Sequence, residues 1–347
     1  MKIVIIAGPY YPVPPTKYGG TERVIYYLIK GLKELGHEPI LLGPADSQVD
    51  CRVIPIVDRS IAFPKKDSPA FRRQVTAVLA ETARQLRKVA PSVDIIHSHD
   101  FDLSSFQQFP NLTTMHGHIG FETLPYYQLH ERLPFVSISK DQQATYPGLN
   151  WLGVAYNGLD PAEFPLITKP ADYLCFIGRF DWDKSPHLAI QLALSTATKL
   201  KLAGKLDLGG ADYFKKEIKP YLKHPLIDYL GEVDMAQKIE LVGRARANLH
   251  PLLGRREPFG LTVIEAAYLG TPTMAMNKAS MPELIEHGQS GWLVEDFVEG
   301  SHYLDKLYAL DRRYVSRRAR HRFNYRLMTK QYLRAYRRAI REFAKKR

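Results

Sequence analysis

A chain of 347 residues is too long for one compact core and long enough for two domains. Its 45% hydrophobic and 24% charged content is that of an ordinary globular protein, and its two cysteines, Cys51 and Cys175, each in an apolar strand-like stretch, do not make a disulfide framework. The net charge of +12 is concentrated: residues 312–347 hold fifteen Lys/Arg against one acidic residue, Glu342, so the rest of the chain carries −2 and a generally basic surface is excluded.

The opening run Met1-Lys-Ile-Val-Ile-Ile-Ala-Gly reads as a buried first strand over 2–7. It is too short for a signal-peptide core and is followed by prolines. A helix over 21–35 follows from Val24, Ile25, Leu28, Ile29 and Leu32, and it stops at Gly36. Strands are predicted over 38–42, 93–97, 112–115 and 135–138, with a helix over 71–89. This alternation implies a parallel sheet with helices on both faces. Asn157-Gly158 signals a turn, and Pro161, Pro165 and Pro170 punctuate a linker. A second series follows, with strands over 173–177, 205–208, 227–230, 247–250, 273–276 and 291–294. Its helices run over 186–194 and 235–245, a loop and helix fill 257–269, and 282–286 is a turn. The fold class is α/β, two Rossmann-like doubly wound domains in tandem. Ligands of such sheets sit at the carboxyl ends of strands. The last segment is helical, with Phe323, Leu327, Leu333, Tyr336, Ile340 and Phe343 on one side and Arg and Lys on the other. That face reads either as solvated packing or as a contact with anionic lipid or nucleic acid. No segment is apolar for long enough to span a bilayer.

The segment Glu257-Pro-Phe-Gly-Leu-Thr-Val-Ile-Glu265 is the most informative. A loop turns into a helix at Phe259-Gly260, where free backbone N–H groups attract an anion. Glu257 at the loop mouth and Glu265 along the helix suit sugar hydroxyls better than a phosphate, and a nucleotide sugar has both parts. Gly19-Gly20 opens the first helix and permits close approach of a ligand, or is simply a flexible loop before it. The dinucleotide fingerprint and the Walker A loop are absent, which argues against a dehydrogenase or P-loop ATPase. Arg179 and Lys184, five apart across a strand-to-helix loop, suit one diphosphate. Asp181-Trp-Asp183 matches a D-x-D metal pattern but lies between two cations. His97-Ser-His99-Asp100 and His116-Gly-His118 lie at strand ends. No acidic or Cys cluster completes a metal site there, and His116 is better read as a ligand contact.

In this order the motifs resemble a family 4 retaining glycosyltransferase with a GT-B fold. They are Gly19-Gly20 with Gly36-His37-Glu38, Thr114-Met-His116-Gly117, Tyr156-Asn157-Gly158-Leu159-Asp160, Gly178-Arg179 with Lys184, and the E-x7-E element Glu257 to Glu265. Met281-Pro-Glu283-Leu-Ile and Gly288-Gln-Ser-Gly291-Trp-Leu-Val match as well. The Pro14-to-Arg23 and His-Ser-His-Asp runs are similar to the branch typified by avilamycin-type transferases. The resemblance covers about residues 2–294 and implies two domains facing across a cleft. It implies catalytic roles for His116, Glu257, Arg179 and Lys184. Glu257 would hold donor-sugar hydroxyls, Glu265 the ribose, and Arg179 and Lys184 the diphosphate. Backbone near Phe259, Gly260 and Leu261 would touch sugar or phosphate, Gly19 and Gly20 would leave room for the donor, and His116 would place the sugar. The resemblance departs from the pattern at Ser185, where a Gly commonly follows the Lys, and at Asn277-Lys-Ala-Ser280, where many members have a Gly pair.

The resemblance therefore implies a metal-independent, retaining hexosyltransferase with no cofactor, a nucleoside-diphosphate-sugar donor, taken as UDP-glucose from the family, and an unknown acceptor hydroxyl. Nucleic acid is not expected as a partner. The alternatives are a nucleotide-sugar epimerase of the same fold, or a non-catalytic sugar-nucleotide-binding or membrane-scaffold protein. The predicted domains are 1–160, 169–318 and a basic helix over 319–347 packing back on the first domain. The protein is expected in the cytoplasm, with possible peripheral contact to an anionic membrane.

Overall fold

A computed structural model describes residues 1–61, 68–99, 101–206, 210–254 and 257–346. Asp100, and Asp207 and Leu208 of the strand predicted over 205–208, lie outside the described residues. The chain divides into two compact units, Met1–Gly158 with Tyr325–Arg347, and Leu159–Asn324.

The strands of the first unit are β1 (Lys2–Ile6), β2 (Glu38–Pro44), β3 (Arg52–Val57), β4 (Ile95–Ser98), β5 (Asn111–Thr114), β6 (Phe135–Ser137) and β7 (Trp151–Val154). They form one parallel sheet in the order β3-β2-β1-β4-β5-β6-β7. The order reverses direction between β1 and β4, the place where such sheets hold ligands. Neither edge strand is among the predicted elements. β3 carries Pro55 in mid-strand, where the missing N–H suits an edge position. The sheet needs its inner strands buried on both faces, and Ile3, Val4, Ile5, Ile95 and Ile96 are fully buried.

The last helix, Tyr325–Ala344, belongs to this unit and packs on the first helix, Gly20–Glu34, and on β5 and β7. Tyr325, Met328, Tyr332, Tyr336 and Ala339 make its buried stripe. The return to the first unit starts at Tyr325 rather than at 319. The preceding helix, Arg312–Arg322, instead packs on the helix Leu261–Tyr268 of the second unit.

The second unit holds β8 (Leu174–Ile177), β9 (Leu200–Ala203), β10 (Ile227–Tyr229), β11 (Ala247–His250), β12 (Thr273–Met276) and β13 (Gly291–Val294). The parallel order is β10-β9-β8-β11-β12-β13, so its switch point lies between β8 and β11. β9 lies earlier than the predicted 205–208. Both stretches alternate Leu with other residues, 200–203 as Leu-Lys-Leu-Ala and 205–208 as Lys-Leu-Asp-Leu, so period alone does not choose between them. Burial of Leu200 and Leu202 does. A Cβ on Gly204, just past β9, would sit 1.6 Å from the Gly178 carbonyl oxygen, so the two strand ends meet there as bare backbone.

Candidate active site

In the second unit three loops gather at the carboxyl ends of neighbouring strands: 178–185 after β8, the turn after β11, and 277–280 after β12. The first loop is built by Asp181. Its Oδ1 accepts from the Lys184 amide at 2.8 Å, and its Oδ2 lies 3.3 Å from Arg179 Nε. The D-x-D pair therefore includes a carboxylate already committed to the turn. Lys184 is thrown across to the next loop, where its Nζ meets Glu257 Oε2. Behind Glu257 stands His250, with Nε2 3.8 Å from the same oxygen. Burial first, and Arg179 beside it second, push the Lys184 ammonium down to about 8, with Asp181 and Asp183 pulling the other way. Burial, and then Lys184, hold His250 neutral, with a pKa of about 3.

Glu257 leads into the turn at Gly260, whose φ is +100°. That conformation favours glycine, and a Cβ there would also lie 2.8 Å from Met281 Cε and push the methionine tip aside. Ser280 Oγ bridges the carbonyls of Glu257 at 2.9 Å and Phe259 at 2.6 Å and pins the loop. The helix Leu261–Tyr268 then begins with no side-chain cap, and so does the helix Pro186–Ser195 after Lys184. Uncapped starts leave backbone donors for an anion. Glu265 is buried on the Leu261–Tyr268 helix, its Oε1 held at 2.8 Å by Lys238 from the helix Met235–Gly243.

Both departures from the family pattern fall on left-handed backbone. Ser185 has φ +48° and Ala279 φ +52°, where a glycine would be free of the Cβ penalty.

In the first unit Gly19 and Gly20 start the first helix, again without a side-chain cap. The space a Cβ on Gly19 would need is taken by Pro15 Cβ at 2.6 Å, so internal packing alone demands that glycine. At the other side of this switch point His97, on β4, is fully buried and fully bonded. Its Nδ1 lies 2.8 Å from Tyr336 Oη and its Nε2 2.7 Å from Thr114 Oγ1. Thr114 donates onward to Tyr332 Oη at 3.3 Å, so His97 Nε2–H is the donor to Thr114 and Tyr336 O–H donates to Nδ1. His97 is thus a strut between the sheet and the last helix. His99 Nδ1 lies 2.7 Å from His116 Nε2, with the rings stacked at 5.0 Å. His116 keeps part of its surface accessible, and burial pushes its pKa down to about 4. Gln142 holds the loop by donating to the Met115 and Gly117 carbonyls at 3.0 and 2.6 Å.

The second unit thus collects Arg179, Lys184, Glu257, Gly260, Leu261 and Glu265, while Gly19, Gly20 and His116 lie in the first. Lys238 and His250 were not singled out by the sequence, while His99 and Ser280 were noted only within the His-Ser-His-Asp run and the 277–280 loop and given no role with the donor. Lys238 has no signal, being one lysine on an amphipathic helix. His250 and Ser280 do carry one, because each ends a strand or a turn beside a Pro-containing motif.

The Glycosyl transferases group 1 model matches residues 163–322, and the Glycosyltransferase Family 4 model matches 18–143. The chain belongs to the family 4 glycosyltransferases. The glycogen synthase of Mycobacterium tuberculosis is 26% identical to this transferase over 344 residues, covering 84% of this chain and 81% of the relative. The fold is that of AviGT4, a glycosyltransferase involved in avilamycin A biosynthesis (TM-score 0.74, 22% identity, 98% of each chain). It is also that of Anabaena HepE, solved in complex with UDP and glucose (TM-score 0.71, 17% identity, 96% of this chain and 98% of the other). The architecture is therefore GT-B, and the chain is a glycosyl-transferring enzyme. Among the described residues no helix of the transferase is long and apolar enough to cross a membrane.

Proposed function

We propose that this transferase moves a hexose from a UDP-glucose-like nucleoside-diphosphate sugar to an acceptor hydroxyl, with retention of configuration and without a metal. The observation that carries the reading is the grouping of Arg179, Lys184, Glu257 and the uncapped Gly260 helix start at the β8/β11 switch point. As the bond from the anomeric carbon to the phosphate oxygen lengthens, negative charge collects on the diphosphate. Two fixed cations in a partly dry site match that charge. Glu257 accepts from sugar hydroxyls and Glu265, steadied by Lys238, from the ribose. His116 contacts the sugar. Gly19 and Gly20 admit the donor, and backbone at Phe259, Gly260 and Leu261 touches sugar or phosphate. The acceptor attacks the face that the diphosphate leaves, and a leaving-group oxygen takes the acceptor proton. The UDP and glucose named as HepE's ligands support a UDP-sugar donor.

Thermal shift with UDP, GDP, ADP and their hexose conjugates, each with EDTA and with Mg²⁺, tests this. At a hundred times Kd, binding adds about 2.7 kcal/mol of stability. The expected result is a shift with a uridine nucleotide that is indifferent to Mg²⁺ and lost in Lys184→Ala. No shift with any nucleotide overturns the reading. A requirement for Mg²⁺ overturns the metal-free part.

Peripheral contact with an anionic membrane rests on one further feature. Lys330, Arg334, Arg337 and Arg341 are exposed on one face of the last helix. Flotation with anionic and neutral vesicles tests it, and absence of binding to the anionic ones dismisses it.

A further inference from the structure

We propose that His99 is a positioning residue that fixes the tautomer of His116, so that His116 presents its Nδ1–H as a neutral hydrogen-bond donor. The geometry supplies the argument. His99 Nδ1 and His116 Nε2 are 2.7 Å apart, so one nitrogen carries the proton and the other accepts it. If His116 Nε2–H were the donor, His99 would hold its own proton on Nε2. That atom is buried and has no partner among the described residues. A buried N–H without an acceptor is the costlier orphan. With the opposite assignment, His99 Nδ1–H donates to His116 Nε2, and His99 keeps only a bare ring nitrogen inside. His116 must then carry its proton on Nδ1, on the ring that keeps accessible surface.

Proton exchange through the neighbours does not blur this choice. His97, whose ring lies 4.2 Å from that of His99, has both nitrogens committed to Tyr336 and Thr114. Burial depresses all three imidazoles, which keeps them neutral near pH 7. The loop carbonyls on either side of His116 are held by Gln142, so the ring does not turn to exchange its nitrogens freely. A donor N–H in a neutral ring suits a sugar hydroxyl or ring oxygen and adds no net charge beside the diphosphate. The chemistry assigned to His99 rests on the proposal that His116 contacts the donor sugar.

The test uses the full chain labelled with ¹⁵N-histidine, together with His99→Gln and His99→Phe. Ring-nitrogen shifts and couplings at pH 7 report the tautomer directly. Wild type is expected to show Nδ1–H on His116. His99→Gln, whose amide N–H still donates, is expected to keep it. His99→Phe, which keeps apolar bulk but no donor, is expected to move the proton toward Nε2. A purely packing role for His99 predicts the reverse ranking, with Phe tolerated and Gln not. An Nε2–H tautomer in the wild type overturns the proposal, as does an Nδ1–H tautomer that survives in His99→Phe. Binding supplies the second readout. In His99→Phe, UDP-glucose is expected to bind roughly three- to tenfold more weakly while UDP is unchanged, the loss of one neutral hydrogen bond. If the tautomer shifts and both ligands still bind as in wild type, His99's role stands and the reading of His116 as a sugar contact falls.

Discussion

Ser185 and Ala279 hold left-handed backbone at positions where the family commonly has glycine. The strain of a Cβ there is about 1–2 kcal/mol. Ala279→Gly is expected to raise stability by about 0.5–1 kcal/mol, the strain relieved less the extra freedom glycine has in the unfolded chain. A urea midpoint that rises at unchanged slope checks it. Ser185→Gly is expected to gain less, because the Ser185 hydroxyl donates to the Trp182 carbonyl and that bond is lost. The sequence marked Ser185 and the loop 277–280 as departures, but only the backbone angles single out Ala279 and show why glycine suits both positions. Lys184 carries the pH prediction. Its pKa of about 8 lies below the ordinary 10.5, so it loses its charge as pH rises through 8. UDP affinity is expected to fall between pH 7 and pH 9 in wild type but not in Lys184→Arg, whose guanidinium stays charged, as read by calorimetric titration. Stability moves the other way through this group. Between about 8 and 10.5 the unfolded chain binds the proton more tightly, so raising pH in that window favours the fold.

Two helix pairs decide how the site and the C-terminus are held. Lys238, 17% exposed, neutralises the 6% exposed Glu265 from a neighbouring helix. Lys238→Met strands that carboxylate. The expected cost is about 2 kcal/mol, below the value for a fully buried pair because Lys238 keeps some water. Chemical denaturation measures it, and uridine nucleotides should bind more weakly in the same variant. The first and last helices meet at Gly31. A Cβ there would lie 2.1 Å from Thr329 Oγ1 and 3.0 Å from Thr329 Cβ. Gly31→Ala is expected to cost about 1–3 kcal/mol by overpacking, and Thr329→Ala in the same chain to recover part of it. Full additivity of the two would show that they do not touch. Nothing in the periodicity of the first helix distinguishes Gly31 from any other glycine, because the reason for it lies some three hundred residues further along.

The C-terminal basicity also changes meaning once the chain is folded. Arg312 donates to the carbonyls of Ile167, Ala245 and Gly243 and to Thr271 Oγ1. Arg320 reaches the carbonyls of Pro161, Phe164 and Tyr268, and Arg318 pairs with Glu286. Much of the apparent surface charge thus ties the second unit together, and the stripe from Lys330 to Arg341 remains exposed. Deleting residues 325–347 uncovers β5, β7, His97 and the first helix together. Limited proteolysis of that variant is expected to digest the first unit and protect a fragment near 159–324; protection of both units would show the last helix to be dispensable. By itself the sequence determined the two α/β series, every inner strand but β9, the loop-to-helix turn at Gly260 and the residue types that suit a diphosphate sugar. Those are set by local period, turn chemistry and charge, which act over a few residues. Tertiary structure alone decided β3 and β7 at the edges of the first sheet, the choice of 200–203 for β9, the Lys184–Glu257 and Lys238–Glu265 pairs, and the His97 and His99 bonds. Each depends on burial and on partners distant in the chain, which exist only once the sheets have closed.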